Sequence, residues 1–187
     1  MILAAGMSLD TFENPEGIDV LMPQYQHRLY RFLLRIVQDP AEAEDVFQQT
    51  WLRVMQKLGT YDARNRFETW LFAVARNLAI DHLRRKRGVS LDDPGDSGQA
   101  PVERLAAAGQ DPLERLLEFE RGAMLAAAMA ELPPIHREVL ALRFEEEMKL
   151  EQIAEVAGIP LSTVKSRLHR ALEGLRAVVI KRGGRKG

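Results

Sequence analysis

The chain has 187 residues, of which 46% are hydrophobic and 28% charged, with a formal net charge of -1; this predicts a folded, water-soluble chain of one large or two small domains. The absence of cysteine excludes disulfide scaffolds, cysteine-based zinc or iron–sulfur sites and thiol catalysis. Neither a membrane span nor a signal-peptide pattern is evident, so we expect a cytoplasmic protein without membrane insertion.

Apolar residues at helical spacing predict three helices in the first half of the chain. The first ends where Asp39 and Pro40 break the pattern, and the second begins with an acidic turn and stops at Gly59. After a short polar loop at residues 60–66, the third helix covers about residues 67–85. We expect the core of this bundle to contain Leu29, Phe32, Leu33, Ile36, Val37, Ala43, Val46, Phe47, Trp51, Val54, Leu58, Phe67, Trp70, Leu71, Val74, Leu78 and Leu83.

A change of composition separates this bundle from the rest of the chain. Residues 88–111 are rich in Asp, Gly, Pro and Ser, and they contain too little apolar surface to offset the entropy of ordering. They predict a flexible acidic linker that is disordered in the free protein. Helical spacing then resumes at Leu113, Leu116, Leu117, Met124 and Leu125 and, after Pro133 and Pro134, at Ile135, Val139, Leu140 and Phe144. We therefore expect an all-α protein made of two small bundles.

The segment LEQIAEVAGIPLSTVKSRLHRALEGL predicts a helix-turn-helix. Gly158 can adopt the left-handed conformation that ends a helix, Ala154 is small where two helices cross, and Ile159 fills the corner between them. The second helix turns Val164, Leu168, Leu172 and Leu175 inward and carries polar side chains on its other face: Ser162, Thr163, Lys165, Ser166, Arg167, His169 and Arg170. Such a face can contact bases and phosphates in a major groove, although a solvated helical hairpin has a similar pattern.

Charges are unevenly distributed along the chain. Residues 76–87 hold five Arg or Lys against one Asp, residues 165–187 hold eight against one Glu, and residues 88–120 between them hold eight acids against two bases. Two basic segments indicate two contacts with a polyanion. Aromatic residues near the first segment, at the start of the third helix, are typical of a bundle core and also of a surface that stacks bases of a single strand. For Phe67 and Trp70 we expect the core position.

Other polar residues have two readings. Arg143 precedes the helix-turn-helix and can contact a phosphate there, whereas we expect the acids at residues 145–147 to form a solvated turn.

The histidines do not fall at metal-ligand spacing, no glycine-rich phosphate loop is present, and no nucleophile has a base beside it. We therefore predict no metal, no cofactor and no catalytic residue.

Four motifs in this order resemble the extracytoplasmic-function (ECF) class of bacterial RNA polymerase sigma factors. They are AEAEDVFQQTWLRVMQKLGTYD, FETWLFAVARNLAIDHLRRKR, LPPIHREVLALRF and IAEVAGIPLSTVKSRLHRA. The resemblance implies that sigma domain two binds the β′ clamp helices of core RNA polymerase and melts the -10 promoter element. It also implies that domain four sits on the β flap and recognises the -35 element, and that an anti-sigma factor is a partner.

The resemblance also assigns domains and residues by position. It implies an N-terminal tail at residues 1–17, domain two at 18–87, the linker at 88–111, domain four at 112–180 and a basic tail at 181–187. Polymerase contacts fall on Asp45, Gln48 and Gln49, where Gln49 replaces a Glu usual in the family. Contacts to the -10 element fall on Tyr61, Arg66, Phe67, Thr69, Arg76, Asn77, Asp81 and Arg84. Contacts to the -35 element fall on Arg143, Thr163, Lys165, Ser166, Arg167, His169 and Arg170.

A second function fits part of the sequence. A stand-alone helix-turn-helix regulator would use the N-terminal bundle for ligand sensing or dimerisation. That function requires a pocket or a dimer seam, whereas the first bundle instead ends in a basic helix bearing aromatic residues. Co-purification of core polymerase subunits distinguishes a sigma factor from such a regulator.

Overall fold

The computed structural model describes residues 16–62, 66–87 and 122–183. Every regular element within these ranges is helical, which confirms the all-α prediction. The first bundle consists of α1 (Glu16–Val37), α2 (Pro40–Lys57, followed by a 3-10 turn at Leu58–Thr60) and α3 (Phe67–Arg87). The second consists of α4 (described over 122–130), α5 (Pro134–Leu140), α6 (Leu150–Ala157) and α7 (Leu161–Gly183). The predicted linker and Leu113, Leu116 and Leu117 lie outside the described residues.

The first bundle has the core that its apolar spacing predicts. All seventeen residues expected in this core are buried or half-buried. Between α1 and α2, Asp39 adopts an extended conformation and its carboxylate accepts the backbone N–H groups of Ala41 and Glu42 at 2.9 and 3.0 Å. This N-cap satisfies two donors at the start of α2, so a local side chain fixes the break between the helices.

One aromatic residue of α3 has a clearer role than the sequence indicated. Phe72 is fully buried, and its ring packs edge-on against that of Phe32 with the centroids 5.1 Å apart. Base stacking by Phe72, one of the two uses that its aromatic neighbourhood allowed, is therefore excluded in this structure. The side chain stabilises the bundle instead.

The helix-turn-helix has the predicted turn. Gly158 has φ 65° and ψ 36°, in the left-handed region, and its N–H donates to the carbonyl oxygen of Ala154. Ile159 also donates its backbone N–H to Ala154, at 3.2 Å, and packs against the core. The buried Val164 and Leu168 hold α7 onto the bundle, and this leaves the opposite face of α7 available for a ligand.

The connection between α5 and α6 differs from the prediction. The chain continues from α5 into a π-helical turn at Ala141–Glu145, and Glu147 then takes a left-handed conformation with φ 54°. Only the last of the three acids is exposed: the Glu145 side chain is 24% exposed and that of Glu146 is 1% exposed. The expected solvated turn was therefore wrong, because Glu145 and Glu146 reach arginines of α1 from the opposite half of the chain.

The two bundles also pack directly against each other. In the described residues α1 contacts α5 and the π-helical turn, and α3 contacts α6. No helix in these ranges is long and apolar enough to cross a membrane. Because the two bundles are in contact, the candidate DNA-binding residues of both belong to one packed structure.

Candidate nucleic-acid and polymerase interface

The outward face of α2 carries the residues expected to bind polymerase. Asp45, Gln48 and Gln49 are exposed, on the side opposite the buried positions of α2. Sequence analysis missed the continuation of this face, where Leu52 and Met55 are 54% and 46% exposed. Both lie seven residues beyond a predicted contact, and that spacing was a usable signal. A polar patch that continues into exposed apolar side chains is typical of a protein-binding surface.

An aromatic cluster forms where the loop after α2 meets the first turn of α3. The ring centroid of Tyr61 lies 5.7 Å from that of Phe67 and 5.0 Å from that of Trp70. Phe67 is buried, as expected, whereas Tyr61 and Trp70 are only half-buried. Burial, and to a smaller extent the nearby Asp62, raises the pKa of Tyr61 to about 12, so its hydroxyl stays protonated and can donate. The partly exposed rings can therefore stack on an extruded base.

The other predicted -10 residues fall into two groups on α3. Asn77, Asp81 and Arg84 are exposed at a spacing of four and three residues, so they form one line along the helix, and Arg66 is exposed just before the helix begins. Thr69 is buried, and its hydroxyl has no hydrogen-bond partner within the described ranges. Arg76 is turned toward the second bundle rather than outward, since it contacts a residue of α5.

The predicted -35 residues of α7 are also divided between surface and interior. Lys165 is exposed and Thr163, His169 and Arg170 are partly exposed, whereas Ser166 and Arg167 are buried. The guanidinium of Arg170 donates to the hydroxyl of Ser166 at 3.3 Å, so Ser166 helps to orient it. Before the helix-turn-helix, Arg143 donates to the backbone carbonyl of Met148 at 3.0 Å. Fewer of these side chains can therefore reach a major groove than the sequence predicted.

A buried carboxylate connects the two groups of DNA-binding candidates. The side chain of Glu138 is 0% exposed, and its Oε1 accepts a hydrogen bond from Arg76 Nε at 3.0 Å. Arg167 attracts the same carboxylate from α7. Burial raises the pKa of Glu138, although both arginines oppose this by favouring the charged form. Sequence analysis did not single out Glu138, and the signal that was available is its helical spacing with Ile135 and Leu142.

Comparison with known proteins identifies the family. The model for Sigma-70 region 2 matches residues 21–89, and the model for Sigma-70 region 4 matches residues 128–177. The ECF RNA polymerase sigma factor SigW of Bacillus subtilis is 30% identical over 155 residues, which cover 81% of this chain and 83% of SigW. The chain is an ECF sigma factor. The resemblance of its four motifs to this class is confirmed.

Further relatives agree with this assignment. The ECF sigma factor SigL of Mycobacterium tuberculosis is 39% identical to this sigma factor over 160 residues, covering 83% of the chain and 84% of SigL. CnrH, in its complex with the cytosolic domain of CnrY, has the same fold with a TM-score of 0.62 and 21% identity, over 91% of this chain and 92% of CnrH. RpoE of Bartonella quintana, solved with the anti-sigma factor NepR, has a TM-score of 0.60 and 20% identity, over 88% and 94% of the two chains.

The family regions coincide with the two bundles. Region 2 spans nearly all of α1 to α3, and region 4 spans the end of α4 to most of α7. The sigma-70 family consists of transcription initiation factors. A stand-alone helix-turn-helix regulator is not favoured, because its N-terminal bundle would have no reason to match region 2.

Proposed function

We propose that this sigma factor binds core RNA polymerase, recognises the -35 and -10 elements of its promoters and promotes melting of the DNA at initiation. The observation that carries the proposal is the presence of regions 2 and 4 on two bundles that each expose a polar helix face. Synthesis of RNA belongs to the polymerase, and this chain contributes promoter choice.

Polymerase binding is assigned to α2. Asp45, Gln48 and Gln49 supply polar contacts to the β′ clamp helices, and Leu52 and Met55 supply apolar area next to them. Exposed apolar side chains gain free energy when a partner removes them from water, and the neighbouring polar groups set the orientation of that partner. Domain four is proposed to contact the β flap, as the family resemblance implies.

Recognition of the -10 element is assigned to α3 and the loop before it. Tyr61 and the neighbouring half-buried Trp70 offer ring faces for an extruded base, and Asn77 offers an amide donor and acceptor on the exposed line of α3. Arg66, which is exposed just before α3, and Arg84, at the C-terminal end of this line, supply phosphate contacts. Extrusion of a base costs a few kcal/mol, and stacking of about 1–3 kcal/mol per base can offset that cost.

Recognition of the -35 element is assigned to α7. The partly exposed His169 and Arg170 can reach base edges, the exposed Lys165 can reach a phosphate, and Thr163 and Arg143 can contact the DNA backbone. Ser166 supports Arg170 rather than reaching DNA itself, since it is buried and hydrogen-bonded to that guanidinium. Arg167 becomes a phosphate contact only after it leaves the neighbourhood of Glu138.

We also infer control by an anti-sigma factor. The solved relative RpoE is bound to the anti-sigma factor NepR, and CnrH is bound to the cytosolic domain of CnrY. This sigma factor has the same fold as both, so we infer a partner of the same kind. We also infer a cytoplasmic location, because the polymerase and the DNA on which the protein is proposed to act are there.

In vitro transcription tests the function as a whole. Core RNA polymerase is supplied with genomic fragments and with or without this chain, and the 5′ ends of the transcripts are mapped. We expect discrete start sites that depend on the chain, and co-purification of the polymerase subunits with it. Absence of both polymerase binding and chain-dependent starts would refute the proposal and leave the stand-alone regulator as the alternative.

A further inference from the structure

One carboxylate of α2 joins this helix to the end of α3. Glu42 lies in the first turn of α2, and its side chain is 16% exposed. Its Oε2 accepts a hydrogen bond from His82 Nε2 at 3.0 Å, and its Oε1 pairs with the ammonium group of Lys86. We call these three residues the bridge. Since His82 and Lys86 are four positions apart, the bridge spans one turn of α3.

The carboxylate of the bridge is held in place from its own helix. Asp39, the N-cap of α2, accepts the backbone N–H of Glu42 at 3.0 Å and so fixes the backbone from which the Glu42 side chain extends. The first turn of a helix also favours a negative charge, because the helix dipole is positive there. The bridge therefore begins at an acceptor whose position is set before His82 and Lys86 reach it.

Apolar packing does not extend to the last turn of α3. Leu83 is 2% exposed, whereas Arg84, Arg85 and Lys86, which follow it, are exposed. Helix ends fray, because their last carbonyls lack partners within the helix. In the part of this turn that the structure describes, Lys86 alone forms an ion pair with another helix. The bridge therefore provides the attachment that the core does not.

The bridge and the proposed DNA surface lie on different sides of α3. Successive residues of an α-helix are rotated by about 100°, so Lys86 lies about 140° from Asp81 and about 160° from Arg84 around the helix axis. Lys86 is turned toward α2, whereas Asp81 and Arg84 belong to the exposed line of α3. The bridge therefore holds α3 from behind and leaves the exposed line open to DNA.

We propose that Glu42 is a positioning residue for recognition of the -10 element. Through the bridge it fixes the last turn of α3, and thereby the direction in which Arg84 presents its guanidinium to a phosphate. One turn farther along α2, Asp45 belongs to the polymerase face, so the bridge also fixes the end of α3 relative to that face. The role at DNA rests on the proposed function, whereas the effect on the helix end does not.

The mobility of a spin label tests the bridge in the free protein. The chain has no cysteine, so Arg84→Cys carries a single label in the last turn of α3. Glu42→Gln removes the charge at nearly constant size and should raise the mobility of this label in the electron paramagnetic resonance spectrum. Lys86→Gln should have the same effect without changing the first turn of α2. A label at Asn77→Cys, two turns earlier, should keep its mobility in both variants.

Binding of the holoenzyme to DNA tests the positioning role. The probe is a fragment of a promoter mapped by transcription, with its -10 element single-stranded. Glu42→Gln should weaken binding to this probe about fivefold, as expected for the loss of one net hydrogen bond. Its affinity for core polymerase should stay within about twofold of the parent, since Glu42 faces α3. Glu155→Gln, the same change at an exposed position of α6, is the control and should leave both affinities unchanged.

A double-mutant cycle distinguishes positioning from a separate stabilising effect. Within the described residues, Glu42 and Arg84 form no hydrogen bond or ion pair with each other. If Glu42 positions Arg84, each loss makes the other smaller, so Glu42→Gln with Arg84→Gln should bind the probe more tightly than the product of the single effects predicts. Arg66→Gln, just before α3, is the matched partner. Its effect should multiply with that of Glu42→Gln.

Three results would refute parts of this assignment. Unchanged mobility of the Arg84→Cys label in both Glu42→Gln and Lys86→Gln would overturn the bridge. Effects of Glu42→Gln and Arg84→Gln that simply multiply would overturn the positioning role, even with a more mobile label, and circular dichroism verifies that the helices persist in each variant. If the parent protein binds neither polymerase nor the probe, the proposed function fails, and the mobility of the label still decides whether the bridge holds the helix end.

Discussion

Arg137 Nη2 donates a hydrogen bond to the backbone carbonyl of Ile36 at 2.6 Å, across 101 positions of the chain. The bond joins a helix of region 4 to the last turn of a helix of region 2. Arginine is always charged and presents five donors in a rigid fork, so it can satisfy several carbonyls at once. One buried side chain thereby stabilises a helix end and the contact between two bundles.

Replacement of Arg137 by alanine should be strongly destabilising. The change leaves three carbonyls that accept from Arg137 without this partner, and each unsatisfied buried polar group costs about 1–3 kcal/mol, so we expect a total loss of about 3 kcal/mol. Arg137→Lys should recover part of the loss, because it keeps the charge but not the fork. Urea unfolding measures both. The exposed Arg176→Ala is the control and should stay within about 0.5 kcal/mol of the parent. A similarly small effect of Arg137→Ala would contradict the capping role.

Local patterns predicted most of the fold. The break at Asp39 and Pro40 and the left-handed turn at Gly158 are set by residues close in sequence, and both were predicted from the sequence. The apolar spacing of α1 to α3 likewise identified their buried faces. Such features depend on helix geometry and on backbone preferences, which a single sequence contains.

Contacts between the bundles could not be predicted in this way. Glu146 pairs with Arg28 across 118 positions, and a run of three acids has no local sign of such a partner. Arg76 and Arg167 were assigned to DNA by the family resemblance, whereas their proximity to Glu138 depends on how helices far apart in the sequence pack together. The spacing of Glu138 with Ile135 and Leu142 was a partial signal, since it places a carboxylate in an apolar stripe.

Stability should depend on pH through Glu138. Its pKa is raised, because burial penalises the charged form more than Arg76 and Arg167 favour it. The native state therefore holds its proton to higher pH than the unfolded chain, so this contribution to stability is present below the usual glutamate pKa and is lost as pH rises through the raised value. Glu138→Gln, a neutral isostere, should not show this loss. The unfolding free energy of the variant should therefore increase relative to that of the parent as pH rises.

Urea unfolding between pH 4.5 and 7.5 checks this expectation. The difference in unfolding free energy between Glu138→Gln and the parent should move in favour of the variant across that range. The exposed Glu147→Gln is the matched control and should show a smaller dependence on pH. A difference that moves in favour of the parent as pH rises would mean that the ion pair with Arg76 outweighs the burial of the carboxylate.

The apolar part of the α2 face should contribute to polymerase binding. Leu52 and Met55 are about half exposed, so Leu52→Ala and Met55→Ala should change stability by less than about 0.5 kcal/mol. In an interface each truncation should cost about 1–2 kcal/mol of binding, and Asp45→Asn about 2–5 kcal/mol if its carboxylate is paired there. Titration of core polymerase measures these losses. Val20→Ala, at a position 57% exposed on α1, is the control. If the α2 variants lose no more binding free energy than Val20→Ala, this face of α2 is not part of the polymerase interface.

Two basic residues of α7 should have different roles at the -35 element. Arg170→Ala should cost about 1–3 kcal/mol and relax sequence preference at one position, as expected for a contact to a base. Lys165→Ala should weaken binding to all sequences and reduce the salt dependence by about one phosphate contact. Holoenzyme binding to promoter duplexes at several salt concentrations separates these results. Arg176→Ala is the control, because it removes the same charge elsewhere on α7. If Arg170→Ala changes affinity and sequence preference no more than Arg176→Ala does, the assigned base contact is wrong.

Asn77 should act at the melting step more than at the first binding step. Asn77 lies on the exposed line of α3, and Tyr61 and Trp70 form a half-buried aromatic pair near the start of this helix. The amide of Asn77 can hydrogen-bond a base that is extruded at this surface. Because that base is available only after the duplex opens, Asn77→Ala should leave holoenzyme binding to closed duplex near the parent value. It should reduce open complex by a factor of about 5–10, the equivalent of one hydrogen bond of about 1 kcal/mol or slightly more. Permanganate footprinting of the -10 region measures the bubble, and the exposed Gln24→Ala on α1 is the control. An unchanged bubble in Asn77→Ala would exclude this residue from the pocket, whereas an equal loss in closed and open complexes would assign it to duplex recognition instead.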